Sequence, residues 1–137
     1  MQKSERAFGR SGAAHQPTVL VVEDVVLVHM LVAETLRQRG FHVVEAASGE
    51  EAIRALQRRL LPIDAILSDV FMPGAQIDGI GLAAWVLRQR PDVKLLLGSG
   101  FVLSDVDLGD MAKDVGPILP KPYNYDELER RLREDLG

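Results

Sequence analysis

The stretch Ile63-Asp64-Ala65-Ile66-Leu67-Ser68-Asp69-Val70-Phe71-Met72-Pro73-Gly74 constrains this chain more than any other. Ala65, Ile66 and Leu67 form an apolar run of strand length without polar alternation, which reads as a strand buried on both faces. Such a strand belongs inside a parallel sheet with helices on each side, because a sheet with one wet face would alternate. Pro73 and Gly74 end it. Asp69 is thereby placed at the carboxyl end of a buried strand, where open α/β sheets bind ligands. A charge there costs folding energy unless it is paired or metal-bound.

The same alternation recurs along the chain. Val19 to Val22 is a β-branched run that stops at Glu23-Asp24, and Val28, Leu31, Val32 and Leu36 then recur at helical spacing. Gly40 is placed to end that helix. Val43-Val44 is a second short strand, and Ser48-Gly49-Glu50-Glu51 has capping-box spacing before the apolar stripe Ala52, Ile53, Ala55, Leu56. Ile80 to Arg90 is a third helix, stopped by Pro91. Val93 to Leu97 is a fourth strand, ending at Gly98-Ser99-Gly100. Leu103 to Asp114 is the weakest helix, with four aspartates and an interior Gly109, which costs about 1 kcal/mol against Ala. Pro117-Ile118-Leu119 is the fifth strand. Asn124 caps a last helix with Tyr125, Leu128, Leu132 and Leu136 on one face. The order βαβαβαβαβα predicts an α/β fold, a flavodoxin-like, doubly wound, five-stranded parallel sheet of strand order 2-1-3-4-5 with five helices.

Composition narrows the function. The chain has 137 residues, 47% of them apolar, and a net charge of −4 with both signs interspersed. It reads as one domain over 17–137, with residues 1–16 a disordered tail or a remnant of expression. No polybasic stripe points to nucleic acid or to an anionic membrane, and no apolar run approaches the ~20 residues of a membrane span. The first residues lack the apolar core of a secretory signal. With no cysteine, thiolate catalysis, thiolate metal sites and disulfides are excluded, which suits a reducing, cytoplasmic setting.

The polar residues at the strand ends form one chemical set: Glu23 and Asp24 after the first strand, Asp69 after the third, Ser99 after the fourth and Lys121 after the fifth. In the expected strand order these ends are neighbours. Two carboxylates ~4 Å apart repel by about 4 kcal/mol at an effective dielectric of about 20, so the acids call for a cation. Oxygen-only ligands suit Mg²⁺. A carboxylate nucleophile, a divalent ion, a lysine and a hydroxyl are the parts needed to form an aspartyl phosphate.

Glu23-Asp24, Asp69 with Met72-Pro73-Gly74, Ser99-Gly100 and Lys121-Pro122 together resemble the signature of the bacterial response-regulator receiver domain, from about Thr18 to Leu136. The resemblance implies that Asp69 is the phosphoacceptor, taking a phosphoryl group from a histidine kinase or a phosphotransfer protein. It implies that Asp24 binds Mg²⁺ directly, Glu23 directly or through water, and the backbone carbonyl of Phe71 as a further ligand. Lys121 would pair with the phosphoryl group and Ser99 would move to bond it. The Lys121-Pro122 bond is often cis in such domains. A downstream protein would bind the face of the fourth helix, fifth strand and fifth helix, with a homodimer as a further outcome. The chain would be no enzyme beyond its own Mg²⁺-dependent phosphorylation and dephosphorylation.

Three departures from the pattern stand out. Ile118 occupies the switch position three residues before the lysine, where the family usually has an aromatic residue. The loop Gly74 to Gly79 is about two residues longer than the common pattern; bordering the site, it is read either as shaping kinase or metal access or as a tolerated surface insertion. Phe71 and Phe101, two residues after Asp69 and Ser99, are expected to flank the phosphoryl group beside Gly100 and to restrict the attacking water. Blander readings hold elsewhere: Ser48 as a helix cap, Trp85 as partly buried packing, and His15, His29 and His42 as surface or tail residues.

Nothing follows the fifth helix, so the first expectation is a stand-alone receiver. The second is a receiver from a longer hybrid histidine kinase, or a phosphorelay intermediate. An aspartyl phosphatase would need a second aspartate where Phe71 stands. A flavin carrier would need a Ser/Thr/Gly-rich loop where Glu23-Asp24-Val25-Val26 stands. A pseudo-receiver would lack Asp69, Lys121 or the acid pair.

Overall fold

The computed structural model describes residues 16–58, 62–100, 108–134 and 136. Five strands, β1 (Thr18–Val22), β2 (His42–Ala46), β3 (Ala65–Asp69), β4 (Lys94–Ser99) and β5 (Leu119–Pro120), alternate with helices. The helices are α1 (Val26–Gln38), α2 (Gly49–Gln57), α3 (Gly79–Gln89), α4 (Ala112–Val115, preceded by a 3₁₀ turn at Gly109–Met111) and α5 (Tyr125–Arg133). All strand pairs are parallel, in the order β2-β1-β3-β4-β5. This is the expected doubly wound arrangement.

The layers follow from the period of two along each strand. Val19, Val21, Ala65, Leu67 and Leu96 face α1 and α5, where Val32, Leu36, Leu128 and Leu132 complete one core. Leu20, Val22, Ile66, Leu95 and Leu97 face the other way, onto Ala52, Leu56, Leu82 and Val86 of α2 and α3. Every residue of β3 is buried, as a central strand with both faces covered requires. Trp85 is half-buried against the α2–α3 core.

The local signals explain the helix ends. The Ser48 hydroxyl accepts from the Glu51 N–H at 3.2 Å, and the Glu51 carboxylate answers by accepting from the Ala47 N–H at 3.0 Å. Asn124 accepts from the Glu127 N–H at 3.1 Å. Asp78 caps α3 by accepting from the Gly81 N–H at 3.0 Å, a cap not expected from the sequence. Gly40 follows α1 with φ of 95°, the left-handed geometry expected of it.

Four expectations change. Leu31 is not part of the α1 core stripe: it is exposed, with Val25, Val26, Leu27 and Met30. The fifth strand pairs at Leu119 and Pro120 rather than 117–119, because the partners are Gly98 and Ser99. The fourth helix was expected over 103–114. Its residues 103–107 lie outside the described residues, and the remainder forms only the 3₁₀ turn and α4. Leu136 lies beyond the end of α5 yet still packs on the α1–α5 core. The expected tail falls almost wholly on residues 1–15, outside the described residues.

Candidate functional site

Sheet register brings the acids together. Val22 pairs with Ser68, so Glu23 stands level with Asp69. Asp69 in turn pairs with Gly98, and Ser99 with Pro120. Lys121 follows, its N–H donating to the Ser99 carbonyl at 2.9 Å. Each carboxyl end is thus one step from the next. Glu23, Asp24 and Asp69 each offer an oxygen, and these oxygens lie within 4.8 Å of one another.

Lys121 answers two of the three charges. Its ammonium group pairs with Glu23 Oε1 and lies 3.2 Å from Asp69 Oδ2. The other Glu23 oxygen accepts from the Val25 N–H at 3.2 Å. Asp24 caps nothing: the N-cap of α1 is Val25, without a side-chain bond. Among the described residues Asp24 makes no ion pair. Three carboxylates and one ammonium leave a net charge of −2 in a site where Glu23 and Asp69 are buried. A hard, oxygen-seeking divalent cation fits this donor set. Burial pushes the Asp69 carboxyl above its ordinary range and Glu23 pushes it further, while Lys121 and the Phe71 N–H oppose them.

The surrounding residues fix this arrangement. A Cβ at Gly79 would overlap the Asp69 carbonyl and stand 2.9 Å from Val70 Cα, so only glycine lets α3 start so close to β3. The Lys121-Pro122 bond is cis. Ser99 is buried at the end of β4 and Gly100 beside it is exposed. Phe71 is half-buried, its ring against the α2–α3 core. Phe101 lies outside the described residues. Ile118 is half-buried against the same core, as suits an aliphatic side chain.

Three neighbours were not visible beforehand. His29 is no surface residue: its side chain is 12% exposed, its Nδ1 is 2.9 Å from the Glu23 carbonyl oxygen, and its Nε2 is 2.8 Å from Glu45 Oε1. The expected long loop is held down: Glu50 accepts from the N–H groups of Gln76 and Ile77 at 3.2 and 3.1 Å, and the Gly49 N–H donates to the Ile77 carbonyl at 2.8 Å. Tyr123 is half-buried over Gly98, and burial of its phenol, then Asp69 and Glu23, raise it well above the usual range. The one sequence signal was Gly98 itself, a residue with no side chain inside an apolar strand. His42 is exposed as expected, and His15 lies outside the described residues.

The family model of the response regulator receiver domain matches residues 19–133. The sensor kinase CckA of Brucella abortus is 35% identical over 136 residues, which is 98% of this chain and 14% of that protein. The transcriptional regulatory protein TcrA of Mycobacterium tuberculosis is 36% identical over 93% of this chain and 48% of its own length. The chain therefore spans less than half of either relative. Among solved structures, the receiver domain of the hybrid histidine kinase CckA is 33% identical, covers 88% of this chain and 99% of its own, and superposes with a TM-score of 0.69. The response regulator TrrA from Thermotoga maritima, solved in complex with Mg²⁺–BeF, is 25% identical over 87% of this chain and 98% of its own, with a TM-score of 0.74. The acidic strand tips, their shared lysine and this likeness along nearly the whole chain have one reading: the chain belongs to the response regulator receiver domain family and is a receiver domain of two-component signalling.

Proposed function

We propose that Asp69 accepts a phosphoryl group from a phosphohistidine on a histidine kinase or phosphotransfer protein. A carboxylate oxygen of Asp69 attacks phosphorus, the P–N bond breaks, and its electron pair stays on the departing imidazole. Lys121, 3.2 Å from Asp69 Oδ2, neutralises charge on the incoming oxygens. Asp24, Asp69 and the Phe71 carbonyl would hold Mg²⁺ directly, with Glu23, already paired to Lys121, reached directly or through water. Mg²⁺ would screen the carboxylates from the phosphoryl oxygens. Ser99 would bond the phosphoryl group, and the Phe71 ring, with Phe101 and Gly100, would restrict the hydrolytic water. The observation that carries this reading is the convergence of three carboxylates within 4.8 Å of one another, two of them paired to one lysine.

The donor would approach across the start of α1. There Val25, Val26, Leu27, Met30 and Leu31 are exposed directly after Asp24. They adjoin a hollow of about 340 Å³ between α1 and Lys121–Tyr125. Apolar residues clustered this way mark a protein contact. A downstream partner, or a second copy of the chain, would use the α4–β5–α5 face in a cytoplasmic setting. Among the described residues no helix is long and apolar enough to cross a membrane. Likeness to CckA favours a second reading, a receiver within a hybrid kinase that relays its phosphoryl group onward.

Incubation with Mg²⁺ and acetyl phosphate should add one phosphoryl mass to the intact chain and none to Asp69→Asn; equal masses would refute the reading. Leu27→Asp should slow transfer from a phosphohistidine donor while leaving the acetyl phosphate reaction unchanged.

A further inference from the structure

Val25, the N-cap of α1, has no capping side chain, and among the described residues the one side-chain bond within the turn that carries Glu23 and Asp24 is the Val25 N–H donating to the Glu23 carboxylate at 3.2 Å. The Glu23 backbone is also tied on both sides. Its N–H donates to the Ala46 carbonyl at 3.1 Å. Its carbonyl faces His29 Nδ1 at 2.9 Å. A carbonyl only accepts, so Nδ1–H is the donor in that bond. The far side of the ring is fixed in turn: Nε2 lies 2.8 Å from Glu45 Oε1, and Arg37 Nη2 holds Glu45 Oε2 at 2.8 Å. The ring is thus pinned between the end of β1 and the edge strand β2.

We infer that His29 is a positioning residue for the cation site: bonded to the Glu23 carbonyl and braced by Glu45, it holds the Glu23–Asp24 turn in the orientation that binds Mg²⁺. The inference rests on the cation site proposed above. Three acids that repel one another would otherwise spread, and reassembling them would cost part of the binding free energy. Groups that orient metal ligands typically change metal affinity by about 10–100-fold. His29 acts through the backbone rather than on a ligand atom, so a smaller factor is expected.

The test titrates Mg²⁺ into the unphosphorylated chain by calorimetry, for the wild type, His29→Ala, His29→Asn and Glu45→Gln. Urea unfolding in chelator serves as the folding control. His29→Ala is expected to weaken Mg²⁺ binding about 3–10-fold, and to raise by the same factor the Mg²⁺ needed for half-maximal phosphorylation. Its rate at saturating Mg²⁺ should stay near wild type. The His29→Asn amide can still donate near the Nδ1 position and should restore affinity to within about twofold. Glu45→Gln loosens the brace without emptying the site and should fall between. Unchanged affinity in His29→Ala, or equal loss in His29→Ala and His29→Asn, overturns the inference. So does a His29→Ala that fails to fold while His29→Asn and Glu45→Gln bind Mg²⁺ alike. A wild type that binds Mg²⁺ but gains no mass refutes the phosphoacceptor reading alone; one that binds no Mg²⁺ refutes both.

Discussion

Replacing Asp69 by asparagine removes one of three clustered carboxylates, two of which share one lysine, and the structure sets the sign of the effect. Lys121 lies 3.2 Å from Asp69, an attraction of about 5 kcal/mol at an effective dielectric of about 20. Oxygens of Glu23 and Asp24 lie within 4.8 Å, each a repulsion of about 3.5 kcal/mol on the same scale. The two repulsions together exceed the one attraction by about 2 kcal/mol, and burial of the Asp69 charge adds to the cost. Asp24 is only partly buried, so solvent screens its share. The substituted amide keeps an oxygen for Lys121. Asp69→Asn is therefore expected to stabilise the chain in chelator at pH 7 by about 1–2 kcal/mol, raising Tm by roughly 4–8 °C. With Mg²⁺ at a hundred times its Kd the wild type should gain about 2.7 kcal/mol, and the variant, with one ligand fewer, less. The pH dependence gives a second check. The Asp69 carboxyl is raised above its ordinary 3.8. Its contribution to stability is then fully present below that value and lost as pH rises through the raised one. The advantage of the variant should be widest near neutrality and shrink as pH falls through the raised value toward 3.8. Differential scanning calorimetry in chelator at several pH values measures this directly. An Asp69→Asn less stable than wild type at pH 7 would refute the argument.

Other perturbations probe the frame. Glu50, held below its usual range by its own backbone N–H and then that of Ile77, should stabilise the chain above 4.5 and lose that contribution as pH falls through its depressed value. The difference in urea midpoint between wild type and Glu50→Gln should therefore vanish in acid, and a constant difference would count against the clasp. A Cβ at Gly98 would stand 2.7 Å from Tyr123 Cζ, so Gly98→Ala should destabilise by about 1–3 kcal/mol. Much of that loss should disappear in the Tyr123→Ala background, and simple additivity in the double-mutant cycle would contradict the packing. Asn124→Ala removes the cap on the Glu127 N–H and should cost about 1 kcal/mol in thermal unfolding.

What could be read from the sequence was local. The strand ending at Asp69 is apolar on both faces because both faces are covered, so its burial and its place in a parallel sheet show in composition alone. Glu23, Asp24, Asp69 and Lys121 are legible because they stand at or just past the ends of apolar runs, and parallel strands place those ends at one edge. Ser48 and Asn124 were found because a cap lies three residues from the N–H it serves. The fifth strand and fourth helix were read less well. Apolar character at Ile118 reports burial, whereas the ladder is set by partners on β4.

Apart from the Asp78 cap, whose partner is three residues on, the contacts that spacing does not reveal join groups distant in the chain. His29 meets Glu45 sixteen residues on, Glu50 meets Ile77 twenty-seven on, and Lys121 meets Glu23 ninety-eight away. Of these only the convergence of Lys121 with the acids was expected, because parallel strands bring their carboxyl ends to one edge of the sheet. His29 sits on a helix, where nothing in spacing says that its ring turns back to the strand before it. Leu31 failed for the converse reason: helical spacing marks a stripe as apolar but cannot say whether the stripe faces the sheet or the solvent. On α1 apolar residues do both, Val32 and Leu36 inward and Leu27 and Leu31 outward. One helix thus anchors the core, presents an apolar face beside the acids, and carries the histidine that reaches the acid turn. A substitution on its outward face should therefore change partner recognition, and one at His29 cation affinity, each without the other.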